Sequence, residues 1–164
     1  MARAGGRLRG LTDRDQITHD MQAARSRVLA AVAGLTDEQA SRPADDGWSV
    51  KDQLNHLTMC DEIRFFEIGR VARGGAPAFQ RFDGAPMDTF NETIAVLRRD
   101  LSLEQALSDL AFARSLVVEA IAGAPEHALD PRAYGEHGYA VNGSIEHDHS
   151  HAEAIEAWRK REGA

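Results

Sequence analysis

One periodicity narrows the possible folds of this chain more than any other feature. Apolar residues recur three and four positions apart through four long stretches, and no β-branched run alternates long enough to make a strand. The first stretch runs from about Thr12 or Asp13 to Ala33, carrying Ile17, Met21, Ala24, Val28, Leu29 and Val32, with Gly34 as its stop. "LTDEQASRPADDG" connects it onward, with one helical turn expected after Thr36. The second stretch opens at Ser49-Val50-Lys51-Asp52, which resembles a capping box with Asp in place of the usual Glu or Gln, and continues to about Val71. Residues 73–86, "RGGAPAFQRFDGAP", hold three glycines and two prolines and read as a loop, long enough to serve as a lid or binding segment. The third stretch spans about Asp88 to Ala122, and a fresh start signal at Ser102 predicts a kink or break near Leu101. A further loop leads to the fourth stretch, from Ser144 to about Arg161, whose Lys160 and Arg161 suit a helix C-terminus.

Four amphipathic stretches imply an all-α, four-helix bundle, expected in up-down-up-down order with a long loop between helices two and three. The 164 residues suit one domain, read as 12–164 behind a loose basic arm over 1–11. Aromatics are 6% of the chain, so the core must be built from Ala, Leu, Ile and Val. A formal net charge of −7 leaves no basic face for nucleic acid. No apolar run approaches the roughly 20 residues of a membrane span, and "MARAGGRLRG" lacks the apolar core of a signal peptide. Cys60 is the one cysteine, which excludes an internal disulfide and fits a reducing cytoplasm.

Chemistry concentrates in "GSIEHDHSHAEAIEAWRK", residues 143–160, where three histidines alternate. "AEAIEAW" is strongly helix-forming, so the relevant spacing is four, not two. At about 100° per residue, His147, Ile155 and Trp158 fall within roughly 60° of His151, on the core side, while His149 lies about 160° away and points out. The pair is therefore His147 and His151. Two core-facing imidazoles are explained either by hydrogen-bond partners or by a metal, because i, i+4 histidines are a standard zinc geometry. A third ligand must come from another stretch. His19 has polar neighbours, and His127 and His137 lie on a loop, so each is read as solvated. His56 differs, sitting in a regular helix one turn before Cys60 on the face of Gln53 and Ile63. It meets the pair at matching depth if helices two and four start at the same end, as the expected order provides.

"GWSVKDQLNHL", "DTFNETIAVLRRDLSLEQALSDLAFARS" and "HDHSHAEAI", in that order, resemble the DinB-like (DinB/YfiT-like) family over about Ala24 to Arg161. The resemblance implies a bundle, frequently a homodimer, with a divalent metal, commonly zinc or nickel, on three histidines. Carried over by position these are His56, His147 and His151, and His149 has no place in the pattern. It also implies possible chemistries: some relatives are thiol-dependent S-transferases or isomerases that use low-molecular-weight thiols, and many have no known activity.

Three imidazoles leave a coordination position for water or substrate. The leading expectation is an enzyme that activates a low-molecular-weight thiol or water at the metal, as an S-transferase or hydrolase acting on a small electrophile. The alternatives are a non-catalytic metal- or ligand-binding stress-response protein and a metal-free bundle that dimerises through its surface. Cys60 could close the site as a fourth ligand or be a small buried hydrophobe. Glu146 and Asp148 could orient imidazoles or be solvated acids at the helix start. Phe79 and Phe82 could cover the site mouth, pack on the bundle end, or make a dimer contact. The face assignment makes a measurable statement: His151→Ala removes most of the bound metal, whereas His149→Ala leaves metal content unchanged. Elemental analysis of the purified variants checks this, and equal losses would show the face to be wrong.

Overall fold

The computed structural model describes residues 14–44, 47–79, 85–136 and 138–163. The expected N-terminal arm, the helix start at Thr12 or Asp13, Phe82 and His137 lie outside the described residues. Within them the protein is all-helical: α1 (Arg14–Val32), α2 (Asp37–Ala40), α3 (Val50–Ala72), α4 (Ala85–Arg98), α5 (Leu103–Gly123) and α6 (Gly143–Glu162). There is no strand among the described residues, and one isolated bridge pairs Pro43 with Ser49. Among the described residues no helix is long and apolar enough to cross a membrane.

Local chemistry sets the helix ends. Thr36 caps α2 in a reciprocal box with Gln39, which makes the single turn expected there. Ser49 and Asp52 close the same box on α3, the Asp52 carboxylate accepting from both the Ser49 backbone N–H and its hydroxyl. Ser102 caps α5 by accepting from the Gln105 N–H at 3.1 Å. Gly34 takes the left-handed φ of +81° that ends α1 sharply. The third sequence stretch is thus two helices, α4 and α5, with a break rather than a kink between Arg98 and Ser102. α4 begins at Ala85, three residues before the expected start, which shortens the preceding loop. The loop before α6 carries two 3-10 turns, Glu126–Ala128 and Pro131–Tyr134, and the Tyr134 hydroxyl donates to the Ala128 carbonyl at 2.7 Å.

The break corrects the expected topology. Along α1 and α6, Arg25 meets Asp148, Arg27 meets Glu153 and Glu156, and Arg159 meets the Ala31 carbonyl, so these two helices run parallel. Lys51 with the Leu101 carbonyl, Asp61 with Arg114, and the Val71 carbonyl with His127 show α3 and α5 parallel as well. Against α6, α3 is antiparallel, pairing Gln53 with His151 and Arg64 with the Ala140 carbonyl. The long helices therefore run up, down, down, up. α4 is the return leg between α3 and α5, so a stretch expected to supply one pass makes two and reverses the direction of α5 and α6.

Among the described residues two large apolar clusters fill most of the interior, beside a small third one of Met59, Cys60, Ile63 and Tyr139. One joins Val28, Leu54, Leu57, Leu110, Ile155 and Trp158, and the other Met21, Ile68, Val71, Val117, Ile121 and Tyr134. Between them, in every long helix, lies a charged layer of Arg25, Asp61, Arg64, Arg114 and Asp148. Arg25 holds both Asp148 oxygens at 3.0 Å and Asp61 at 3.1 Å. Arg114 holds Asp61 at 2.8 Å and Asp148 at 2.9 Å, and Arg64 holds Asp61 at 2.9 Å. Removing one cation leaves two buried carboxylates underpaired, which is far costlier than losing a surface pair. Arg114→Met is therefore expected to lower the unfolding free energy by about 3–5 kcal/mol. Urea denaturation measures it, and a loss below about 1 kcal/mol would place the layer among ordinary surface pairs.

Candidate metal centre

His56 stands in the second turn of α3, on a helix whose start is fixed by the Ser49–Asp52 box. His147 and His151 stand one turn apart on α6 and face it. The Nε2 atom of His147 lies 3.0 Å from that of His56 and 3.1 Å from that of His151. Ring centroids are 4.7 to 5.2 Å apart, and the planes are steeply inclined to one another. Among the described residues these three form the one group of His, Cys, Asp or Glu whose ligand atoms all fall within 4.8 Å of one another. The structure thus brings together the three histidines expected from the sequence, although by antiparallel rather than parallel helices.

The protons on these rings test whether a metal fits. His151 Nδ1 lies 3.1 Å from the Gln53 side-chain oxygen, which can only accept, so the ring hydrogen belongs on Nδ1 and Nε2 carries a lone pair. His56 Nδ1 is buried with no hydrogen-bond partner, so the neutral ring favours its hydrogen on Nε2, directed at His147 Nε2. His147 Nε2 must then also present a lone pair, 3.1 Å from that of His151. One hydrogen cannot satisfy three converging nitrogens. A cation between them can, and ligand nitrogens on tetrahedral zinc stand roughly 3.4 Å apart, close to what is seen. The donor set is compatible with a divalent metal.

Burial shapes the electrostatics. Desolvation of His56, reinforced by repulsion from His151 whenever that ring is protonated, lowers its pKa from 6.5 to about 3, so the ring is neutral and available as a donor at physiological pH. Trp48 sets its ring edge-on at 5.3 Å from the His56 centroid.

Other candidates separate from the centre. Cys60 is a buried thiol outside any disulfide, 3.7 Å from His56 Nε2 and packed with Met59, Ile63 and Tyr139, and its sulfur does not join the group of three nitrogens. His149 is partly buried and also outside that group. His19 is exposed beside Asp20, and exposed His127 meets the Val71 carbonyl at 3.1 Å. Glu146 is exposed, as one alternative held. Asp148 neither orients an imidazole nor meets solvent, being committed to Arg25 and Arg114. Phe79 does not cover the site: Glu67 accepts from the Ala78 and Phe79 N–H groups, some 16 Å along α3 from His56 at 1.5 Å per residue. Sequence reasoning missed the role of Gln53 and the charged layer. The available signal was polar residues at core spacing: Gln53 three before His56, Arg25 four after Met21, and Arg114 four after Leu110.

Comparisons with known proteins agree with this architecture. A family model described as the DinB superfamily matches residues 20–155. The crystal structure of a Streptococcus pneumoniae protein, a structural genomics target, superimposes with a TM-score of 0.71 at 12% identity over 94% of each chain, a likeness of fold. No curated protein matches the chain.

The His56 environment has a consequence for pH. The unfolded chain takes up a proton near 6.5 but the folded ring only near 3, so between those values the unfolded state binds more protons and stability falls as pH falls. In metal-free protein, the wild type should lose stability on acidification through this window faster than His56→Gln, by a slope approaching about 1.4 kcal/mol per pH unit. Urea unfolding at a series of pH values checks it, and parallel curves for the two proteins would contradict it.

Proposed function

The chain belongs to the DinB superfamily, and we propose that it is a metal-dependent enzyme whose single divalent ion, zinc or nickel, is held by His56, His147 and His151. The observation that carries this reading is the convergence of three Nε2 atoms at 3.0 and 3.1 Å with fewer hydrogens than the contacts require. When bound, the ion supplies Lewis acidity toward a water or a low-molecular-weight thiol directed at a small electrophilic substrate.

The protein's own residues supply the rest. His56 is kept neutral by burial, so it donates without first losing a proton. Gln53 directs the donor atom of His151. Trp48 packs edge-on against the His56 ring, and Cys60, 3.7 Å from its Nε2, belongs to an apolar cluster with Met59, Ile63 and Tyr139, so part of the surroundings of His56 is apolar. Low dielectric there would strengthen the attraction between a bound ion and any opposite charge developing beside it. The carrier is a single domain over 12–164, with α1, α3, α5 and α6 as the bundle proper and α4 as a lateral return helix; it works in the cytoplasm, without nucleic acid or membrane, as a homodimer.

Purified protein should carry one divalent ion per chain, and His56→Ala should lose it. A panel of small thiols with electrophilic substrates, run alongside cobalt-substituted protein, should show turnover and thiol-dependent changes in the cobalt spectrum. Stoichiometric metal with neither response would leave a non-catalytic metal-binding protein, and absence of metal with unchanged stability of His56→Ala would remove the metal reading altogether.

A further inference from the structure

We propose that Gln53 is a positioning residue: it fixes the tautomer and ring direction of His151, so that Nε2 is presented as a lone-pair donor before any ligand arrives. The inference deepens the metal reading and rests on it for its functional meaning, but its structural claim concerns the metal-free protein. Gln53 and His56 stand three positions apart in the first two turns of α3, so one helix face carries both a ligand and the group that steers a ligand on another helix. Gln53 is 4% exposed, and its side-chain oxygen lies 3.1 Å from His151 Nδ1 across the α3–α6 contact.

The three rings are not equivalent. His151 has an acceptor at Nδ1, whereas His56 Nδ1 is buried with none. Binding a cation through Nε2 therefore costs His151 nothing in hydrogen placement. His56 must shift its hydrogen to a nitrogen that nothing engages. His151 is the ligand set in advance, and His56 the one that adapts. The choice of an amide also matters. A carboxylate in this place would make the imidazole a stronger donor and offset the ion's charge, whereas a neutral carbonyl orients the ring and leaves that charge to act on substrate.

The experiment reads the ring before the metal. In metal-free protein labelled with 15N-histidine, wild-type His151 should carry its hydrogen on Nδ1, with Nε2 resonating as an unprotonated nitrogen. Gln53→Leu should lose that preference, and Gln53→Glu, which keeps an acceptor, should retain it. Cobalt titration of the same proteins should show Gln53→Leu weaker by about 10–100-fold and Gln53→Glu at least as tight as wild type. The wild-type spectrum needs no variant, so a Gln53→Leu protein that fails to fold leaves the claim testable. Wild-type His151 protonated at Nε2, or a folded Gln53→Leu identical to wild type in tautomer and cobalt affinity, would overturn the proposal. A wild type that binds no cobalt yet shows the Nδ1 tautomer, lost in Gln53→Leu, would support the positioning of the ring and sink the metal reading instead.

Discussion

Five buried charges hold this molecule in register. Arg25 on α1, Asp61 and Arg64 on α3, Arg114 on α5 and Asp148 on α6 are each at most 6% exposed, and they meet in one layer between two apolar clusters. Withdrawing such groups from water costs several kcal/mol per ion, which attraction offsets only when geometry is good and the remaining hydrogen-bonding capacity is used. Here it is used. Arg25 forks onto Asp148, and Arg114 reaches both aspartates and the Met21 carbonyl. Apolar faces tolerate sliding past one another, because a leucine meets a neighbouring leucine almost as well. A guanidinium fork does not, since a shift of one residue leaves charges unpaired in a medium where that is expensive.

The candidate metal centre inherits its geometry from that layer. Asp148 directly follows His147, and Asp61 lies five residues beyond His56. Clamping Asp148 and Asp61 to the same two arginines sets α6 against α3 at the height where the imidazoles face each other. The antiparallel sense of these helices follows from the break between α4 and α5. α4 climbs back along α3, tied by the Arg98–Glu62 pair and by the Asn55 amide donating to the Arg98 carbonyl, so α5 descends beside α3 and α6 ascends beside α1.

The donor set in turn bounds the chemistry. Three neutral imidazoles and an amide acceptor bring no negative charge to the nitrogens, because the nearby carboxylates of Asp61 and Asp148 are spent on arginines. On the proposed reading a divalent ion keeps its full charge in a partly buried setting, which favours polarising or deprotonating an incoming ligand over serving as a closed structural link. Charge used for assembly is thereby separated from charge available for reaction.

Much of this was legible in the sequence. Helical period, the Ser49 and Ser102 caps, the turn after Thr36 and the break near Leu101 are local properties, set by side chains within a turn or two of one another, and each is found where the residues place it. The face shared by His147 and His151 is local in the same sense. The order in which helices run was not legible, because a break of four residues reads alike whether the chain continues or doubles back, and only packing against α3 decides. Nor could one-dimensional spacing say which arginine meets which aspartate. Arg25 and Asp148 are 123 positions apart, and their pairing exists only once four helices have closed around it. Sequence alone determined which atoms could be ligands; tertiary structure decided which of them point at one another, because convergence depends on helix register, and register here is set by buried charges that find their partners at long range.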